Sequence, residues 1–364
     1  MNRPALRGAC PDPPPRGKVF SLASLTTLAA LAALVAFHPH AETMVLADRP
    51  PRPRSPSPEA GRSFTFSLPS AAFPDPAREE GYDLDEAFYD REAHYSDSSV
   101  TVYVPPGWEP ANRVDLVFFF HGWMSSREEA IAEFKLFDQF AGSGIKALLV
   151  VPETAVHAPD SFGGKFEAQG GFGHFVSDLM ETLDENDIVA GARAASIVLA
   201  GHSGAYRVIA SIIRRGGLET HIREVWLFDA LYAREGAFAD WIARRHGRFI
   251  CVSSRDSDTV DKAASLAGLL RERGIDYAAA EDAGEEWATL ESPVVFLTSA
   301  SDHFGVVSDH DEFRIFLSTS PLFAAAVDRP DFAIHGLEAQ AQAQATEARR
   351  LAEGTSYDST SGRQ

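Results

Sequence analysis

Cysteine is nearly missing from this chain: 364 residues hold two, Cys10 and Cys251. Two thiols cannot build a disulfide framework or a Cys-rich zinc site. Cys10 precedes an apolar N-terminal stretch, so removal of that stretch leaves Cys251 alone. Basic residues are scarce beside acids. Lys and Arg number 33 against 52 Asp and Glu, a net charge of −19. Such a surface repels phosphate backbones and anionic membranes, which excludes a generic nucleic-acid binder. No phosphate-cradling loop is present, because the glycine-rich stretch 153–172 lacks a Gly-Lys-Ser/Thr ending. What remains is ordinary globular composition, 45% hydrophobic and 23% charged.

Residues 1–18 carry Arg3, Arg7, Arg16 and Lys18 against Asp12 alone, and residues 19–37 are uncharged. Basic, then apolar, then small is the order of a secretory signal. Val45-Leu46-Ala47 offers a small-residue cleavage site. Residues 1–47 therefore read as a signal peptide or an N-terminal anchor, since about 18 apolar residues just span a bilayer. The expectation is export to the periplasm or exterior, with membrane contact only in the anchored form. A start at Met44 instead makes the protein cytoplasmic. Residues 48–61 are a Pro-rich linker. Residues 61–364 hold 26 basic and 48 acidic residues, a net of −22, so the acidity belongs to the folded part. Residues 336–364 have helix formers without an apolar stripe, then a polar tail. The folded domain is thus expected over 62–335. Nothing in the pattern specifies an oligomer.

Short apolar runs punctuate that domain: Val100–Val104, Val114–Phe120, Ala147–Val151, Ser196–Ala200, Val225–Phe228, Phe249–Ser253 and Val294–Thr298. Most are continuous rather than alternating, as in strands covered on both faces. Amphipathic stretches lie between them, at Ser126–Gly142, Gly173–Leu183, Tyr206–Arg215, Phe238–His246 and Asp261–Arg273. The fold class expected is α/β, a mainly parallel sheet flanked by helices. Ligand sites in such sheets sit at the carboxyl ends of strands.

One strand end carries chemistry. Ser196-Ile-Val-Leu-Ala200 runs into Gly201-His-Ser203-Gly204-Ala205 and then a helical stretch. A strand, a Gly-x-Ser-x-small turn and a helix make a nucleophile elbow. Small flanking residues let strand and helix approach, and the helix N-terminus favours negative charge beside the serine. Ala205 departs slightly from the glycine usual at that position. A second strand, Val114–Phe120, ends in His121-Gly122-Trp123.

With these two motifs the chain, over about 100–315, resembles the α/β-hydrolase superfamily. The resemblance implies a Ser-His-Asp triad acting through an acyl-enzyme, with no cofactor and no metal. It implies an oxyanion hole at Gly122, Trp123 and Gly204, formed by the N–H groups of Trp123 and Gly204. Its catalytic histidine follows the last strand, where His303 stands and His310 competes. The cluster Asp302, His303, Asp309, His310, Asp311 has no regular chelating spacing. The acid is open. The usual superfamily position points to Asp256 or Asp258, whereas Asp229 ends an apolar strand run, where an idle carboxylate is costly. The superfamily often inserts a cap after that strand. The 20 residues of 229–248 hold one helix and no large cap domain.

The expected function is an exported serine hydrolase cleaving an ester or amide bond in a small-molecule or extended polymer substrate. The rival is a non-catalytic ligand-binding protein on the same fold. Acyl transfer to an acceptor other than water uses the same residues. Loop 153–172 reads as a mobile surface loop or as a wall of the site. Trp123, Phe162, Tyr232 and Phe304 read as pocket walls or as core. The triad reading requires Ser203 and His303 within hydrogen-bond reach and one Asp behind His303.

Overall fold

The computed structural model describes residues 61–281 and 292–323. The signal or anchor segment 1–47, the linker 48–61 except Gly61, and the tail 336–364 lie outside the described residues. So does the part of the 62–335 domain beyond residue 323.

Eleven strands are described: β1 Arg62–Ser67, β2 Tyr82–Leu84, β3 Ala87–Tyr89, β4 Ser99–Val104, β5 Arg113–Phe120, β6 Leu148–Pro152, β7 Arg193–His202, β8 Ile222–Phe228, β9 Arg248–Ser254, β10 Ala278–Glu281 and β11 Val294–Ser299. Nine form one sheet in the order β1-β4-β6-β5-β7-β8-β9-β11-β10, and β2-β3 is a separate hairpin. The pairings β1–β4 and β4–β6 are antiparallel. The six pairings from β6 through β5 to β10 are parallel. The fold is α/β-hydrolase-like, as expected of the fold class.

The helices are α1 Arg91–His94, α2 Arg127–Glu133, α3 Leu136–Ser143, α4 Gly171–Glu185, α5 Tyr206–Arg215, α6 Glu235–Arg245, α7 Thr259–Glu272 and α8 Glu312–Thr319. Strand alternation sends Phe118 and Phe120 into a layer shared with α4, α5, α6 and α7. Val117 and Phe119 face a second layer with α2, α3 and α8. Burial on both faces explains why the central strands are continuously apolar. Each buried Phe contributes roughly 1.5–3 kcal/mol of transfer free energy. The 229–248 connection holds α6 and no further described element.

The single helix expected over Ser126–Gly142 is two helices. The chain breaks at Lys135, in the left-handed region with φ 50°. The break lets Phe134 pack against Phe119 while Leu136 and Phe140 also stay buried. The buried Gln139 side-chain amide donates to the Phe134 carbonyl freed there, at 2.7 Å. Strands β1 and β10 went unrecognised in the sequence because they are edge strands with mostly exposed or half-exposed side chains.

Loop 153–172 is a wall rather than a mobile surface loop. Ala155, Ala158 and Phe166 are fully or almost fully buried. Lys165 N–H donates to the Ala72 carbonyl at 2.9 Å. Arg78 pairs with Asp160 at 2.7 Å, and the Arg78 and Arg207 guanidinium groups lie 4.7 and 5.0 Å from the centre of the Phe162 ring. The N-terminal segment 68–95 thus clamps the loop.

Gly164 is where this clamp tolerates no side chain. Its φ is +54°, and a Cβ there meets the Ala72 carbonyl oxygen at 2.0 Å. Gly170 in the same loop has φ +74° and open space around it. Gly170→Ala is expected to cost about 1–2 kcal/mol from backbone strain alone. Gly164→Ala adds roughly 1–3 kcal/mol for the clash. Urea unfolding of both variants checks the difference, and equal costs would refute the clamp.

Candidate active site

The elbow is built as the sequence implies. β7 ends at His202, Ser203 takes φ +54°, and α5 begins at Tyr206. A non-glycine residue in the left-handed region is strained and persists only where its surroundings hold it. A Cβ on Gly201 would meet Ala205 Cβ at 2.6 Å, so strand and helix pack through that glycine. Ala205 fits because its methyl lies over Gly201. The oxyanion strand approaches from the side: a Cβ on Gly122 would sit 2.6 Å from Ser203 Cβ and 3.2 Å from its Oγ.

His303 lies beyond β11, in the turn 300–304. Its Nδ1–H donates to Asp229 Oδ2 at 2.6 Å. Asp229 is fully buried at the end of β8. Its other oxygen accepts from Ser254 N–H at 3.1 Å and from Thr259 Oγ1 in a short contact. Burial alone raises this carboxyl. The His303 and Thr259 hydrogen bonds outweigh that and hold it below the ordinary carboxylate value. Asp229 is therefore ionised at neutral pH and holds the His303 ring by Nδ1. Of the three acids the sequence offers, Asp229 is the one hydrogen-bonded to His303. Asp256 and Asp258 are exposed in the turn before α7 and do not reach His303.

His202, the residue before Ser203, packs against His303. The His202 and His303 rings lie 4.5 Å apart between centres, and His202 Nε2–H donates to the His303 carbonyl at 2.6 Å. Among the described residues no hydrogen bond joins Ser203 Oγ to His303, so that half of the expected contact is not made. Such bonds are often long or misaligned in unliganded sites and tighten on substrate binding.

The Gly122–Trp123 turn is held by His121, together with Glu153 and Arg127, which carried no role in the sequence reading. His121 Nδ1–H donates to the Gly122 carbonyl at 2.8 Å. That contact turns the Gly122–Trp123 peptide so that its N–H points the opposite way from the fixed carbonyl. Trp123 N–H meets no acceptor among the described residues. His121 Nε2 lies 2.8 Å from Glu153 Oε1 and 2.6 Å from Thr154 Oγ1. Glu153 accepts in turn from Arg127 N–H at 2.9 Å. His121, Glu153 and Arg127 are all buried. Glu153 opens the Gly-rich loop, and an acid directly after the apolar run Ala147–Val151 was the available signal.

Trp123 and Phe304 are 41% and 52% exposed and belong to the rim, while Phe162 and Tyr232 are partly buried. The acidic cluster near His303 is spent on local structure. Asp302 Oδ1 accepts from the N–H groups of Phe304 and Gly305 at 3.0 and 2.8 Å, and Asp311 pairs with Arg314 at 2.7 Å. Among the described residues no group of three or more His, Cys, Asp or Glu is placed to hold a metal ion.

No family model matches the sequence, and no curated protein matches it. Among solved structures the chain is similar to a ferulic acid esterase, at 10% identity over 71% of this chain and 98% of that one, with a TM-score of 0.47. It is similar to an S-formylglutathione hydrolase from Agrobacterium tumefaciens, at 11% identity over 72% and 95%, with a TM-score of 0.43. A feruloyl esterase module from Clostridium thermocellum is 12% identical over 77% and 95%, with a TM-score of 0.45. Likeness at this level carries nothing about chemistry or substrate.

The buried His202 gives the site an acid sensitivity. Burial, with His303 beside it, pushes its imidazole from an ordinary 6.5 down to about 3. Below pH 6.5 the unfolded chain takes a proton on this residue and the native chain does not, until about pH 3. Stability is therefore lost as pH falls through that window. The depressed Asp229 carboxyl acts in the same direction at lower pH. His202→Gln is expected to flatten the fall between pH 6.5 and 4, read by thermal unfolding against pH. An unchanged slope would show that His202 is not the proton acceptor.

Proposed function

We propose that this protein is an exported serine hydrolase that cleaves an ester or amide bond through an acyl-enzyme. The observation that carries the reading is the fully buried Asp229 bonded at 2.6 Å to His303 Nδ1, with Ser203 on a strained elbow beside them. Ser203 Oγ attacks the carbonyl carbon, and its proton passes to His303 Nε2. The imidazolium is stabilised by Asp229, which stays ionised. The carbonyl oxygen becomes an oxyanion that the N–H groups of Trp123 and Gly204 face, and each such donor is worth roughly 3–4 kcal/mol in the transition state. The bond to the leaving group then breaks, and His303 returns the proton to the leaving alcohol or amine. Water repeats the cycle on the acyl-enzyme: it gives a proton to His303, the carboxylic acid departs, and Ser203 recovers its hydrogen.

The missing hydrogen bond between Ser203 and His303 favours a second reading, a non-catalytic ligand-binding protein. Labelling with a fluorescent fluorophosphonate separates the two. Wild type is expected to label and Ser203→Ala to lose all label. Asp229→Asn should still fold but turn over esters about 10³–10⁴-fold more slowly, because the amide no longer fixes the base. A well-folded wild type that takes no label and cleaves no ester supports the binding protein instead. Export rests on the basic-then-apolar order of residues 1–47. Finding the full-length chain in the cytoplasm after cell fractionation refutes that part.

A further inference from the structure

The four exposed large apolar side chains among the described residues are Phe88, Trp123, Met124 and Phe304. Two of them flank the site, Trp123 against Gly204 and Phe304 against His303. They are not equivalent, and the chemistry of acyl transfer tells them apart.

The tetrahedral carbon on Ser203 carries three other groups: the oxyanion, the leaving group and the acyl substituent. His303 must protonate the leaving group, so that group lies on the His303 side. Phe304 flanks this side, its ring centre 5.2 Å from that of His303. Its 52% exposure leaves this side open to a large leaving group. On this reading the acyl substituent lies on the side away from His303, next to the oxyanion donors and toward the wall loop.

That direction is filled. The Trp123 indole lies on the backbone of Gly204: a Cβ there would meet Trp123 Cδ1 at 2.4 Å, Trp123 Nε1 at 2.7 Å and Ser161 Oγ at 3.1 Å. The indole N–H donates to Ser161 Oγ at 2.7 Å. Ser161 sits in a loop that is itself clamped, next to Asp160, which Arg78 holds at 2.7 Å. The recess left between Gly122, Gly204 and Asp160–Gly163 has room for about one water molecule. A methyl group is about that size, and a longer chain is not. The two guanidinium groups that flank Phe162 on this side are both paired, Arg78 with Asp160 and Arg207 with Glu167, the latter at 2.8 Å, so neither is free to bind a carboxylate-bearing acyl group.

We infer that Trp123, latched to Ser161, closes the acyl side of the site and restricts the substrate to esters of short, uncharged acyl groups of acetyl size on a large leaving alcohol. The inference rests on the hydrolase reading above and adds the substrate class to it.

The test is a p-nitrophenyl ester series, acetate, butyrate and octanoate, with the wild-type chain and with Trp123→Ala and Ser161→Ala. A methylene that a pocket cannot house costs about 10-fold or more in kcat/KM. Wild type should favour acetate over butyrate by about 100-fold and show still less activity on octanoate. Trp123→Ala should raise the butyrate-to-acetate ratio at least about 10-fold. Ser161→Ala should raise it less, because the ring stays but loses its anchor, and it serves if Trp123→Ala does not fold. Fluorophosphonate labelling of Ser203 in each variant reports an intact site. Wild-type activity on octanoate equal to that on acetate overturns the inference while leaving the hydrolase reading intact. So does an acetate preference that neither variant alters. Loss of both labelling and turnover in folded wild type overturns the hydrolase reading, and the inference with it.

Discussion

Asp229 is a carboxylate with no access to water, and burying an ion uncompensated is among the costliest things a fold can do. Here three donors compensate it: Ser254 N–H, Thr259 Oγ1 and His303 Nδ1–H. They come from the end of β9, the start of α7 and the turn after β11. The contact with His303 therefore forms only when β8, β9 and β11 are side by side in register, which the parallel pairings supply. One ion thus ties the correctness of half the sheet to the orientation of one imidazole. The same bond occupies Nδ1 and so sets the orientation of the ring.

A second buried carboxylate does similar work across the other half of the sheet. Glu153 directly follows β6, receives the Arg127 N–H at the start of α2 and lies against His121, the residue after β5. His121 then fixes the Gly122 carbonyl, and with it the peptide that aims the Trp123 N–H. In the proposed hydrolase the two acids occupy parallel roles, one orienting the proton carrier and the other the oxyanion donor. The wall loop that follows Glu153 is fastened by Arg78 and Lys165 to the N-terminal segment. That segment lies ahead of every catalytic residue, yet it braces Ser161 and hence Trp123.

Those elements whose pattern is local were readable in the sequence. The continuous runs of β4 to β9 report burial on both faces, and Gly201-His-Ser203-Gly204-Ala205 reports a turn that only small residues permit. Asp229 was the preferred acid for the same kind of reason, an acid closing an apolar run, with Asp256 and Asp258 in a polar turn as its alternatives, and it is the one that bonds to His303. Edge strands β1 and β10 were not readable, since an exposed strand needs no apolar periodicity. Neither was the break at Lys135, because the apolar spacing of Ser126–Gly142 suits one helix, and only Phe134 turning inward toward Phe119 requires two. The wall loop was misjudged because glycine content says nothing about what a loop packs on. Its fasteners, Ala72 and Arg78, are about 80 residues away along the chain.

Two residues of the candidate site, Ser203 and Asp229, sit at φ +54° and φ +44° at the ends of adjacent strands β7 and β8. Such conformations cost on the order of 1–3 kcal/mol each and survive only under constraint. The constraint is visible: Gly201 against Ala205 below Ser203, and Asp229 N–H donating to the Val252 carbonyl at 2.7 Å. Glycine at either position would relieve the strain and remove the reacting or orienting group, so strain here accompanies function rather than error. The strained turns lift both side chains above the carboxyl edge of a sheet that cannot shift without losing its core. Ser203 and Asp229 are thereby fixed by backbone, while Trp123, Met124 and Phe304 stand on loops with their faces to solvent. In the proposed hydrolase, a change at Trp123 or Phe304 alters what is accepted and leaves untouched the sheet that orients Asp229 and His303.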